Sequence, residues 1–282
     1  MPGENDHWEA GRSSGAGVSV VAFRMGGDFR RVGNMRVTVL GGVGAFPERG
    51  RGCSGYLLEQ DGFTLLIDPG YATHLALLEH VAPGDVDAVL VTHGHPDHCA
   101  DLHPLLRSRA MTGVPGPLPL HAPAEALDAV LALDLPATLA GAYEVHDLPM
   151  LGRLTIGPLE VGTMPLPHFL PNVGVRITAG GTSVAYTGDS GQREAFADLA
   201  AGVDLMIAEA THVDELPPRM VGMLSTAVEA GELAERAGAR ELWLTHLWPG
   251  SDRAAHEAAA ATTYHGPITV TAPHLTWESA TA

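Results

Sequence analysis

The sequence contains no lysine, and it has only two cysteines among its 282 residues. The absence of lysine excludes Schiff-base chemistry and the phosphate-binding P-loop, because both depend on a lysine side chain. The two cysteines, Cys53 and Cys99, make a disulfide framework implausible, and such sparse use fits a reducing compartment. We therefore expect a cytoplasmic protein whose chemistry depends on other side chains.

Positive charge is also scarce, since 16 arginines stand against 33 acidic residues and give a formal net charge of −17. Such an acidic chain is a poor electrostatic match for a nucleic-acid backbone, which argues against a nucleic-acid partner. A small anionic substrate is still compatible with this charge, because a bound metal ion supplies local positive charge. No apolar run approaches the roughly 18 residues of a membrane span, and we expect no membrane partner.

The chain divides into a short first stretch and one long remainder. Residues 1–34 are rich in glycine, serine and charge, and we predict that they form a disordered extension. Acidic residues precede the short apolar run in this stretch, which is not the charge pattern of a signal peptide. Residues 35–282 are predicted to form a single domain, because no repeat and no proline-rich linker divides them.

Strand and helix patterns alternate along residues 35–282, which predicts an α/β fold with layered sheets. An Asp61-Gly62 pair between two apolar runs predicts a β-hairpin with a tight turn. Helices are predicted over 71–81 and 124–133, among other places. The polar candidates for function lie just past the carboxyl ends of predicted strands, where open α/β sheets place their sites.

Histidine is unusually common, with 15 residues, and four metal-binding side chains cluster in Thr92–His98 after an apolar strand. His93 and His95 lie two residues apart, so in extended backbone their side chains point the same way and both can bind one ion. Asp97 and His98 follow a turn and can face a second ion. Imidazole and carboxylate are the ligands that Zn, Mn and Fe accept. A glycine and a proline inside the segment predict a loop rather than a continuous helix.

This H-x-H-x-D-H pattern after an apolar strand resembles the signature of the metallo-β-lactamase superfamily. The resemblance extends over nearly the whole chain from Met35, because the other motifs of that family follow in order. They are Asp68 in L-L-I-D-P-G, His168 in P-L-P-H-F, Asp189 in A-Y-T-G-D-S-G and His246 in L-W-L-T-H.

The resemblance implies an αββα sandwich, in which two mixed β-sheets pack between helices, with a dinuclear metal centre along one edge. It implies that two divalent ions bind there, with zinc expected and manganese or iron also accepted by these ligands. By resemblance, His93, His95 and His168 hold one ion, Asp97, His98 and His246 hold the other, and Asp189 bridges them. Asp68 is then a buried residue that braces the histidine segment, and a homodimer is an open expectation.

Within the superfamily, the sequence resembles the ribonuclease Z-like and cyclic-nucleotide phosphodiesterase-like branch. Asp189 stands where β-lactamases carry a cysteine, and I-A-E-A-T-H, ending at His212, resembles a segment of that branch. Two departures argue against tRNA as the substrate. Ala208 replaces a histidine, and Asp189 follows His168 by only 21 positions, too few for a tRNA-gripping arm.

The resemblance therefore implies a hydrolase whose metal-bridging hydroxide attacks a small phosphodiester such as a cyclic nucleotide. Asp97, Asp189 and His212 are the candidate catalytic residues; His212 could donate a proton to the leaving oxygen or be a loop histidine with no role. Three alternatives stay open: a lactone or thioester hydrolase with the same metal site, a ribonuclease Z-type enzyme, and a metal-binding module without turnover.

Overall fold

The computed structural model describes residues 34–280, so residues 1–33 of the predicted extension lie outside the described part of the chain. Two seven-stranded sheets face each other across an apolar core, and helices cover their outer faces. Both sheets mix parallel and antiparallel strands. The predicted αββα sandwich with two mixed sheets is therefore confirmed.

The first sheet has the strand order β14-β1-β2-β3-β4-β5-β6. Its strands are β1 (Arg36–Gly41), β2 (Gly55–Gln60), β3 (Phe63–Ile67), β4 (Ala88–Leu90), β5 (Leu118–Ala122), β6 (Tyr143–Asp147) and β14 (Thr276–Glu278). β3 to β6 run parallel, while the pairs that β1 makes are antiparallel. The predicted hairpin is β2–β3, and its turn residues Asp61 and Gly62 have φ of 51° and 78°, as a type I′ turn requires.

The second sheet has the order β13-β12-β11-β10-β9-β8-β7. Its strands are β7 (Gly152–Ile156), β8 (Leu159–Leu166), β9 (Asn172–Ala179), β10 (Thr182–Tyr186), β11 (Leu205–Glu209), β12 (Leu242–Thr245) and β13 (Ile268–Val270). β7 to β10 form an antiparallel meander, and β10 to β13 are parallel. The parallel strands end at the same edge of the sheet, which brings the residues that follow them together.

Seven α-helices and one short 3₁₀ helix (Pro83–Asp85) accompany the sheets in residues 34–280. The α-helices are α1 (Thr73–Leu77), α2 (Pro96–Cys99), α3 (Leu102–Thr112), α4 (Asp128–Leu131), α5 (Glu194–Leu199), α6 (Ala227–Ala237) and α7 (Arg253–Ala260). The predicted helices over 71–81 and 124–133 are shorter in the structure, because the chain beside α1 and α4 forms tighter turns with bonds between residues three apart. Across residues 34–280, each helix falls short of the length and apolar character needed to cross a membrane.

The core between the sheets and the core under α5 to α7 differ in side-chain size. The inter-sheet core contains large rings, among them Tyr56, Tyr186 and Trp243. The core under the helices is rich in alanine, and α6 presents four buried alanines at helical spacing to the second sheet. Small side chains allow α6 to lie close to the sheet, whereas the large rings hold the two sheets apart and in register.

Candidate metal centre

The first-sheet ligands lie in one continuous segment after β4. His93 and His95 follow the strand directly, and Asp97 and His98 lie on α2, which begins at Pro96. The sequence predicted a loop for this segment, so a one-turn helix is a correction. Its cause is the proline, which is favoured at the first position of a helix because its fixed φ suits that position.

The second-sheet candidates lie at three separate strand ends. His168 follows β8, Asp189 follows β10, and His246 follows β12. His246 has a left-handed φ of 57°. A Cβ on Gly44 would lie 2.7 Å from the imidazole of His246, so only glycine fits there.

The structure brings all seven predicted ligand residues together in two groups. We call His93, His95, His168 and Asp189 the first group, and Asp97, His98, Asp189 and His246 the second group. Within each group, the candidate ligand atoms all lie within 4.8 Å of one another. Asp189 belongs to both groups, and each group takes two residues from each sheet, so neither sheet alone could hold an ion.

Nitrogen and oxygen atoms converge closely inside each group. In the first group, Nδ1 of His95 lies 3.1 Å from Nε2 of His93 and 3.0 Å from Nε2 of His168. In the second group, Nε2 of His246 lies 3.0 Å from Oδ2 of Asp189. Three imidazole nitrogens and one carboxylate therefore surround one point, and two imidazoles with two carboxylates surround the other.

The two groups differ in their protonation. Burial lowers the pKa of His93, His95 and His168, so the first group presents neutral imidazoles. Burial also disfavours charge on His246, but the carboxylate of Asp189, its hydrogen bond to that imidazole and Asp97 outweigh burial and raise the pKa of His246 to about 10. Without a cation, the second group therefore contains imidazolium paired with carboxylate. A metal ion can replace those protons.

The donor set fits divalent cations. Nε2 of His98 and Oδ1 of Asp189 are buried without a hydrogen-bond partner and lie 3.1 Å apart. Buried polar atoms are rarely left without a hydrogen bond, and a site that binds a cation is one reason for such a pair. Imidazole and carboxylate donors in this mixture suit Zn, Mn or Fe.

Asp68 braces the histidine segment from below, as the sequence predicted. Its buried carboxylate accepts hydrogen bonds from the backbone N–H of Thr92 at 2.7 Å, from the Thr92 hydroxyl at 2.7 Å and from Nδ1 of His98 at 2.8 Å. The bond to Nδ1 places the imidazole proton there, which leaves Nε2 of His98 free for a metal. A fourth donor, the hydroxyl of Tyr186, lies 2.8 Å from the same carboxylate, and sequence reasoning did not find it.

Glu209 braces the opposite side of the centre. It accepts hydrogen bonds from Thr211 Oγ1 and from the backbone N–H groups of Ser190 and Ser225. Burial raises the pKa of Glu209 to about 8, and the charge of Asp189 adds to this. Thr211 Oγ1 also lies 3.0 Å from Nδ1 of His246, so Glu209 supports that imidazole through the threonine. Thr211 was missed because a lone threonine carries no signal of such a role.

His212 belongs to neither group. Its imidazole stacks on Trp248, with ring centres 5.7 Å apart and an interplanar angle of 18°, and its Nε2 is buried without a hydrogen bond. Phe46 packs edge-on against the same indole at 6.2 Å. The neighbouring backbone N–H of Ala45 donates to Oδ2 of Asp97 at 2.7 Å, which ties this aromatic cluster to the second group.

Two mixed sheets between helices, with paired His/Asp groups at their edge, define the class of metal-dependent hydrolases with the metallo-β-lactamase fold. The model of the β-lactamase superfamily domain matches residues 64–247. The chain therefore belongs to the β-lactamase superfamily, and it is a metallo-hydrolase of that superfamily.

Similar proteins support the same placement. The probable metallo-hydrolase YhfI of Bacillus subtilis is 30% identical over 86% of this chain and all of its own length. The crystal structure of YhfI matches with a TM-score of 0.81 at 29% identity, covering 88% of this chain and all of that one. Ribonuclease Z of Kineococcus radiotolerans is 29% identical over 80% of this chain and 88% of its own. The predicted ribonuclease Z-like resemblance is confirmed.

Proposed function

We propose that this protein is a two-metal phosphodiesterase that acts on a small phosphodiester such as a cyclic nucleotide. The observation that supports this most is the sharing of Asp189 by two complete ligand groups. We further propose zinc as the native ion, with manganese or iron accepted by the same donors. The proposed catalytic domain comprises residues 35–282.

Both groups would contribute to hydrolysis, through the ions that they hold and through their carboxylates. Two bound divalent ions would supply positive charge to the phosphate oxygens and acidify a water molecule between them. Asp189 directs Oδ1 toward His98 and Oδ2 toward His246, so its two oxygens are held apart by two imidazoles. Asp97 is fixed by the Ala45 N–H and by His246 at 3.2 Å. We propose that the carboxylates of Asp97 and Asp189 orient the attacking water molecule.

His212 is our candidate for donating a proton to the leaving oxygen. Burial lowers its pKa, as does the nearby His256, so its imidazole is neutral at neutral pH. It must therefore take up a proton before it can donate one. Its stacking on Trp248 places it beside the aromatic cluster that contacts the second group through Ala45.

The choice of a small phosphodiester rests on charge and on similarity. A net charge of −17 opposes a long polyanion, while a single phosphate can be neutralised locally by bound cations. Relatives named ribonuclease Z favour phosphorus chemistry over carbonyl chemistry in this lineage. The charge argument also makes a ribonuclease Z-type role on tRNA the weaker proposal.

One observation favours a second candidate, a lactone or thioester hydrolase. Apolar side chains are exposed beside His168: the ring of Phe169 lies 5.2 Å from its imidazole, and the carbonyl of Met223 accepts a bond from its Nδ1 at 3.0 Å. Val221 and Leu170 extend this apolar rim. Such a rim suits the uncharged chain of an acyl substrate better than a sugar.

The test compares kcat/KM of the metal-loaded protein on bis(p-nitrophenyl) phosphate, a 3′,5′-cyclic nucleotide, a lactone and a thioester. We expect both phosphodiesters to be hydrolysed and the two carbonyl substrates to react more slowly. Preference for the lactone or thioester would replace the proposal with the second candidate. Full metal loading without turnover of any ester would indicate a metal-binding module.

A further inference from the structure

Two tyrosine hydroxyls cross from one sheet to the other directly beneath the candidate metal centre. Tyr186 on β10 of the second sheet donates to Oδ2 of Asp68, which follows β3 of the first sheet, at 2.8 Å. Tyr56 on β2 of the first sheet is hydrogen-bonded to Oγ1 of Thr245, at the end of β12 in the second sheet. The two rings contact each other with centres 5.0 Å apart, so the links form one reciprocal pair.

Each link ends beside a candidate metal ligand. Asp68 holds Nδ1 of His98 at 2.8 Å, and Thr245 directly precedes His246 in the chain. Asp68 and His246 both have left-handed backbone, with φ of 48° and 57°. Non-glycine residues keep this costly conformation only where their surroundings hold it. The tyrosines are part of those surroundings on both sides of the interface.

The hydroxyls add directional side-chain bonds to a core that is mostly apolar, beside backbone hydrogen bonds such as the one from Val173 to Thr92 that also join the sheets. The sheets meet through side chains such as Leu58, Leu65 and Val175, and such burial is not directional. Phenylalanine would fill nearly the same volume at both tyrosine positions. Burying a hydroxyl is unfavourable unless it is bonded, so its presence here indicates that the bond is needed. Burial raises the pKa of the Tyr186 hydroxyl, which keeps it protonated as a donor.

We propose that Tyr186 and Tyr56 are positioning residues that fix the spacing between the ligands of the first sheet and those of the second. This inference rests on the proposed two-metal function, because each group takes two ligands from each sheet. Tyr186 has the larger role. It is one of three donors to Oδ2 of Asp68, and the other two are the hydroxyl of Thr92 and Nδ1 of His98.

The test compares Tyr186→Phe and Tyr56→Phe with Tyr264→Phe. Tyr264 is the control, since its side chain is also buried and its hydroxyl donates to the carbonyl of Ala239 at 2.8 Å in the core under the helices, away from the metal centre. Metal-stripped protein is titrated with Co²⁺ against a competing chelator, and the Co²⁺ absorption spectrum is recorded. Both readouts are independent of catalysis.

We expect Tyr186→Phe to weaken Co²⁺ binding to the second group about tenfold, the lower end of the range for partners of metal-bound histidine. Its Co²⁺ spectrum should shift, Tyr56→Phe should show a smaller change in the same direction, and Tyr264→Phe should match the wild type in both. Wild-type affinity and spectrum in Tyr186→Phe would overturn the inference, as would equal changes in the Tyr264→Phe control.

Failure of the proposed function would look different. If the wild-type protein bound two Co²⁺ ions yet hydrolysed no phosphodiester, the proposed function would be wrong, while the tyrosine comparison could still succeed. If the Phe variants bound Co²⁺ normally in an active phosphodiesterase, only the positioning role would be wrong. Should Tyr186→Phe fail to fold, Tyr56→Phe decides the question. Wild-type Co²⁺ binding by that variant would overturn the inference that the two tyrosines position the ligands.

Discussion

The two metal groups share Asp189 but differ in the charge that they carry before an ion binds. The first group offers three histidines whose burial keeps them neutral. The second group pairs the carboxylates of Asp97 and Asp189 with imidazoles that hold protons. The first group is therefore ready to bind at neutral pH, whereas the second must release protons to do so. The two candidate groups at this shared edge of the sheets thus differ in what ion binding would require.

The largest expected effect comes from removing the residue that both groups share. In Asp189→Ala, both groups lose a ligand, and we expect a loss of metal retention together with about a thousandfold or larger loss of kcat/KM. Metal content by mass spectrometry and turnover of bis(p-nitrophenyl) phosphate measure the two effects, and circular dichroism checks the fold. Full activity in a metal-free Asp189→Ala protein would contradict the assignment of the metal site.

Variants that remove a ligand from only one group should show whether the two groups bind ions separately. His95→Ala removes a ligand of the first group only, and His246→Ala removes one of the second group only. We expect each variant to retain about one ion and to lose activity by about a hundredfold, less than Asp189→Ala. Metal content after gel filtration provides the comparison. Loss of both ions from either variant would show that the groups cannot be occupied separately.

An effect of similar size, but limited to one kind of substrate, is expected outside the two groups, at His212. If its imidazole protonates the leaving oxygen, His212→Ala should lower kcat by about a hundredfold for a substrate that leaves as an alkoxide. The effect on bis(p-nitrophenyl) phosphate should be slight, because nitrophenolate leaves without a proton. Equal effects on both substrates would instead indicate that the stacked ring of His212 only supports Trp248.

The last prediction needs no substitution, because a change of pH alone should affect metal binding at the two groups differently. Since the pKa of His246 is raised to about 10, a metal ion must displace its proton at any pH below that value. Between pH 7 and pH 9, affinity at the second group should rise by about tenfold per pH unit for each proton released. The first group, with its lowered pKa values, should bind equally well across this range. Zn²⁺ titrations at pH 7 and pH 8.5 would detect the difference, and parallel pH slopes would contradict it.

The candidate ligands also differ in how clearly the sequence alone predicted them. The segment from His93 to His98 is dense enough to indicate a metal site by itself. His168, Asp189 and His246 were found only through the order of family motifs, because single polar residues at strand ends carry little local signal. The αββα sandwich followed from that resemblance, whereas the alternation of strand and helix patterns indicated only an α/β fold with layered sheets.

Contacts between distant parts of the chain could not be predicted. Tyr186 and Asp68 are 118 positions apart, and no periodicity relates them. β14 has only three residues and exists because it pairs with β1 from the far end of the chain. The short helix at Pro96 was missed because a glycine and a proline argue against a continuous helix through the segment, whereas proline suits the first position of a single helical turn.

The central claim is that hydrolysis needs both metal groups filled. The most direct measurement strips the protein with a chelator and follows bis(p-nitrophenyl) phosphate turnover as Zn²⁺ or Mn²⁺ is returned stepwise. We predict no turnover in the stripped protein, little at one equivalent of metal and full recovery at about two, as a shared-carboxylate centre requires. Undiminished turnover by protein shown to be free of metal would contradict the account.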